Sequence, residues 1–103
     1  MATTSQRIEV SIQMHPESIP ANLQLIAGAG VNVYRDGLYF PGRVLECSPP
    51  LKPGDRGWAI IDILSDSEYP LDLEAQTEFE LRDGPINKVA SAKVVRLLEP
   101  PDR

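Results

Sequence analysis

The run Leu51-Lys52-Pro53-Gly54-Asp55, followed by Trp58-Ala59-Ile60-Ile61-Asp62-Ile63-Leu64, decides the fold class. Proline presets φ and glycine accepts positive φ, so Pro53-Gly54-Asp55 reads as a turn. The apolar run behind it is short and rich in β-branched residues, which makes it a strand. Both faces of that strand are largely apolar. This predicts either cover on both sides, or a core on one side and a loop on the other.

Downstream, Tyr69-Pro70-Leu71 follows a short acidic loop. Phe79-Glu80-Leu81-Arg82-Asp83-Gly84 then alternates and stops at a glycine turn. Val89 to Leu98 is the last apolar run. Within it Lys93 and Arg96 have opposite parity. A regular strand cannot turn both to water, so a bulge is expected near Val94 and Val95.

Upstream, Ile8, Val10, Ile12 and Met14 alternate with Glu9, Ser11 and Gln13, which is a strand with one wet face. His15 to Pro20 stops it, since Pro16 and Pro20 cannot donate to a ladder. Glu17 to Leu25 is the least unfavourable place for a short helix, and Pro20 weighs against it. A second apolar run, Leu23 to Ala27, ends at Gly28-Ala29-Gly30. Val31 to Tyr34 alternates again, and Asp36-Gly37 supplies a hairpin turn. Leu38-Tyr39-Phe40 follows. Pro41-Gly42 is expected to break or bulge that strand before Arg43 to Cys47 resumes it. Residues 1–6 are expected to be disordered, 7–99 to form one domain, and 100–103 to be a tail. The core should hold Phe40, Trp58, Ile61, Ile63, Phe79, Leu81, Val94 and either Leu97 or Leu98.

The ordered set Lys52-Pro53-Gly54-Asp55, Ile60 to Leu64, Tyr69-Pro70-Leu71, Phe79 to Gly84 and Val89 to Leu98 resembles the third domain of translation elongation factor Tu. The match covers the last half of the chain, and Ile8 to Met14 is compatible with that family's first strand. The resemblance implies an all-β fold, a single six-stranded antiparallel Greek-key β-barrel. It does not imply GTP hydrolysis, because the chain has no Gly-x-x-x-x-Gly-Lys-Ser/Thr stretch. Where the family carries a Gly-Gly-Arg-Thr turn on its tRNA-facing surface, this chain has Asp83-Gly84-Pro85-Ile86-Asn87. The family's Gly-Ala-Gly segment is replaced by Ala90-Ser91-Ala92. The tRNA role therefore transfers to no residue here.

Composition bounds the rest. The 103 residues suit one domain, large enough for a core without disulfides or metal. The net charge of −5 disfavours nucleic acid, whose affinity comes from cations that release counterions. A basic protein partner is favoured instead. Cys47 is the single cysteine and His15 the single histidine. A lone thiol reads as a buried core residue, and a lone histidine forms no triad. No apolar run reaches membrane-spanning length, and the N-terminal residues lack the apolar core of a signal peptide. These features point to the cytoplasm, with no metal or cofactor. The oligomeric state is not encoded in any of them.

The strongest local signal is acidic. Gly57 to Leu81 contains Asp62, Asp66, Glu68, Asp72, Glu74, Glu78 and Glu80, and no lysine or arginine. A calcium loop would need Asp-x-Asp-x-Asp-Gly with a late glutamate, which is absent. The alternatives are a solvated face and a docking surface. The expected protein-binding residues are Asp66, Glu68, Tyr69, Asp72 and Glu74, because loops can be shaped without disturbing strands. Tyr34 and Tyr39, beside Arg35, form a second candidate face, with cross-strand packing as the plainer reading. The function expected is a non-catalytic protein-binding domain of the immunity or antitoxin kind that neutralises a basic toxin. The alternative is a translation-associated module that binds RNA or a translation factor.

Overall fold

A computed structural model describes residues 3–16, 24–35, 37–47, 50–66, 73–83 and 87–98. They form β1 (Thr3–Met14), β2 (Gly30–Arg35), β3 (Leu38–Glu46), β4 (Arg56–Asp66), β5 (Glu78–Asp83) and β6 (Asn87–Leu98). The strands close into one antiparallel barrel in the order β1-β4-β3-β2-β5-β6. Closure leaves no sheet edge for the backbone to satisfy elsewhere. No helix among the described residues is long and apolar enough to cross a membrane.

Alternation along each strand fills the interior. β1 buries Ile8, Val10, Ile12 and Met14, and β4 buries Ala59, Ile61 and Ile63. On β6, Ala90 and Ala92 stand between Met14 and Ile12 on one side and Leu81 and Phe79 on the other. Small residues there make room for large neighbours, and the buried side chains of the described residues form one packed cluster. Each fully buried aliphatic side chain contributes about 1.5–3 kcal/mol of transfer free energy.

The turn that opens β4 forms as its residues dictate. Asp55 N–H donates to Lys52 O at 2.9 Å, and Gly54 has φ 87°. The Asp55 carboxylate accepts from Lys52 N–H at 2.9 Å and locks the turn. The bulge expected in β6 is present. Register steps from Glu9↔Arg96 to Val10↔Val94, leaving Val95 as the extra residue. Lys93 and Arg96 thereby both reach solvent.

Several expectations are corrected. β3 is continuous through Pro41-Gly42, and its irregularity falls instead at Leu45, between Val44↔Ile61 and Glu46↔Ile60. Pro41 is tolerated one residue beyond the last β3–β4 pair, Gly42↔Ile63. β1 extends back to Thr3 rather than starting at Ile8, and Thr3 is paired there with Asp66. Trp58 is 43% exposed and not in the core, because Ala59, Ile61 and Ile63 take the inward parity of β4. Of the two leucines at the end of β6, Leu97 is 47% exposed and Leu98 is half-buried, so neither is a core residue. Both lie past Lys93, where β6 has β1 beside it but the β5 register has ended. The outer face of β4 carries exposed Trp58 and Leu64 rather than being covered. The helix considered at Glu17–Leu25 lies mostly outside the described residues, as does the tail 100–103.

Candidate functional site

The acidic segment divides in space. Asp62 lies opposite Arg7 on β1 and accepts a bidentate pair, Nε to Oδ1 at 2.7 Å and Nη2 to Oδ2 at 2.9 Å. Glu80 accepts from Arg82 Nε at 2.9 Å and meets Lys88 Nζ at 3.4 Å. Glu78 stands opposite Lys93. Strand pairing therefore supplies cations from elsewhere in the chain and weakens the field that a linear count suggests. Of the loop residues expected to bind, Glu74 is exposed in a turn. Asp66 ends β4 in register with Thr3, its backbone alone being described. Glu68, Tyr69 and Asp72 lie outside the described residues.

A different constellation is assembled across β2, β3 and β5. Tyr34 on β2 and Tyr39 on β3 are direct cross-strand partners, with ring centroids 4.9 Å apart at 51°. The Arg82 guanidinium, from β5, lies 3.8 Å from the Tyr34 ring centroid and 5.8 Å from that of Tyr39. Arg82 Nη1 also donates to the Tyr39 hydroxyl at 2.8 Å. The arginine is thus fixed by stacking, a phenol and a carboxylate together. The Glu80 carboxyl is held below its ordinary range, first by the hydrogen bond from Arg82, against burial, with Lys88 assisting. Leu38 and Tyr39 are both exposed beside this stack. Next to it, Tyr34, Arg35, Thr77, Glu78, Phe79 and Glu80 line an open depression of about 460 Å³. It forms where β2 and β5 part beyond the Tyr34↔Glu80 pair.

Sequence reading placed Arg35 beside the tyrosines and missed Arg82, which is 43 residues from Tyr39. Its outward parity with Glu80 was readable, but that β5 lies beside β2 was not. Cys47 is buried, as expected of a lone thiol, and its Sγ contacts Leu25 O at 3.4 Å. Burial raises its pKa, against a backbone hydrogen bond from Leu51 that lowers it. Among the described residues, no group of three or more His, Cys, Asp or Glu could hold a metal ion. The chain matches no protein-family model and no curated protein sequence.

Proposed function

We propose that this chain is a non-catalytic protein-binding domain whose binding face is centred on Tyr34, Tyr39 and Arg82. One observation carries the reading: the two tyrosines and the arginine are held in one preorganised stack on the outer wall, beside an open depression. Tyrosine and arginine dominate interface hot spots, and a side chain already fixed loses little entropy on binding. The expected partner is a protein with net positive charge, drawn by the chain's own −5. An immunity or antitoxin role in the cytoplasm fits such a pairing. The acidic loop residues Asp66, Glu68, Asp72 and Glu74, with Tyr69, are proposed as a second contact for the same partner.

The barrel itself is proposed to be of Greek-key type, like the third domain of elongation factor Tu. The order β1-β4-β3-β2 supports this, since β2, β3 and β4 follow in sequence while β1 returns beside β4. The alternative function, a translation-associated module that binds RNA, draws support from Lys88 and Arg82 beside exposed Tyr39, because bases stack on such groups.

The test compares the wild-type chain with the Tyr39→Ala/Arg82→Ala variant in affinity capture from the native cell. A stoichiometric protein partner held by the wild type and weakened at least about tenfold in the variant supports the reading. Equal retention by the two chains overturns it. RNA retained at low salt and lost as salt rises selects the alternative.

A further inference from the structure

We infer that the outer face of β4 is a self-association surface. Its occupant is a second copy of this chain, stacked with its β4 antiparallel to the first. This face shares no residue with the tyrosine–arginine stack, although the two adjoin on β3, where Tyr39 precedes Arg43 by four residues.

The outward residues of β4 are Trp58, Ile60, Asp62 and Leu64. Trp58 and Leu64 are each 43% exposed, and Ile60 is half-buried between them. A tryptophan and two large aliphatic residues share this strand face, interrupted at one level by Asp62, whose charge Arg7 neutralises, and such an apolar face marks an interaction site.

The flanking charges identify what covers it. On β3, Arg43 stands beside Asp62 and Glu46 beside Ile60. On β1, Arg7 stands beside Asp62 and Glu9 beside Ile60. The Asp62 level is therefore flanked by arginine on both sides, and the Ile60 level by glutamate on both sides. Two levels of one strand face lie about 7 Å apart.

Consider a two-fold axis lying in the interface, perpendicular to the strands and midway between these levels. It exchanges them, so Arg43 meets Glu46 of the second copy, and Glu46 meets its Arg43. Arg7 meets Glu9 in the same way, and Trp58 falls on Leu64. A two-fold axis along β4 would instead set Glu46 against Glu9, which repels. The pattern is self-complementary in one orientation only, as a closed symmetric dimer requires. Arg7 is already paired with Asp62, and Glu9 with Arg96. Among the described residues Arg43 and Glu46 form no ion pair, so they are the charges that choose the orientation.

The experiment is sedimentation equilibrium across concentration, with Trp58 emission as a second readout. Trp58 is the single tryptophan, so its emission reports the interface directly. The wild type should approach twice the chain mass of 11.4 kDa in the micromolar range. Its emission should shift to the red on dilution. Arg43→Glu should weaken the dimer by about tenfold or more, and Arg43→Glu/Glu46→Arg should restore it to near wild type. Trp58→Asp should leave a monomer, with circular dichroism showing the barrel intact. A wild type that stays monomeric into the hundreds of micromolar overturns the inference. So does a dimer that Arg43→Glu leaves unchanged, or that the charge exchange does not restore.

Discussion

Gln76 has φ 77°, a left-handed backbone that side-chain-bearing residues rarely adopt. It is the third residue of a turn closed by Thr77 N–H to Glu74 O at 3.0 Å, and its own N–H donates to Val94 O at 2.8 Å. The turn holds it there, docked on the β6 bulge. Gln76→Val should therefore lower stability by about 1–2 kcal/mol, while Gln76→Asn should not, as urea unfolding would measure. Glu80 gives a prediction of the opposite kind, one of pH. Its folded pKa is depressed by the hydrogen bond from Arg82, so its stabilising contribution is full above the unfolded value of about 4.3. That contribution is lost as pH falls through the lower folded value. Arg82→Met should return the Glu80 carboxyl to the ordinary range, as carbon-13 NMR titration would show. At this scale the sequence was readable wherever parity spoke. Ile61 and Ile63 were expected inside and are, which already assigns Trp58 to the outer face. Size alone argued for burying Trp58, and parity outranked size.

The elements owe their placement to a few close approaches. Gly57 on β4 points inward, in register with Ile12, and buried Leu51 folds over it. A Cβ at Gly57 would come 2.6 Å from Leu51 Cδ2 and 3.2 Å from its Cδ1. Leu51 is held in turn by paired backbone hydrogen bonds with Leu25, at 2.8 and 3.0 Å. Gly57→Val should cost about 1–3 kcal/mol in thermal unfolding. Adding Leu51→Ala should cost less than the sum of the two single changes, because the obstruction is then gone. The bulge at Val95 was legible because two charges of wrong parity demanded it. The bulge at Leu45 was not, since Arg43, Leu45 and Glu46 break no rule on their own. Its effect appears only when Cys47, after the shift, turns into the core.

In the whole molecule the seams are unequal. β1 and β4 share eleven register pairs, whereas β2 and β5 share three, Asn32↔Arg82, Val33↔Leu81 and Tyr34↔Glu80. Opening should begin at the short seam. Backbone amides of β2 that point toward β5 should exchange with deuterium faster than those of β1 that point toward β4, in native-state exchange followed by NMR. If β1 exchanges first, the seams do not rank stability. The strands and turns were legible in the last half and in the alternation of Ile8 to Met14, whereas closure into six strands was an expectation that only the resemblance implied. The tyrosine–arginine stack was not legible, because it depends on β5 lying beside β2, a neighbour relation that no local pattern carries. The same ring order governs how the chain is made. β1 completes its pairing only with β6, and the Glu9–Arg96 contact spans 87 residues of chain. At ribosomal speeds β1 waits on the order of ten seconds with that side bare. Arg7 and Glu9, which pair with Asp62 and Arg96 in the finished barrel, are then charges on a bare nascent strand that disfavour pairing with another chain.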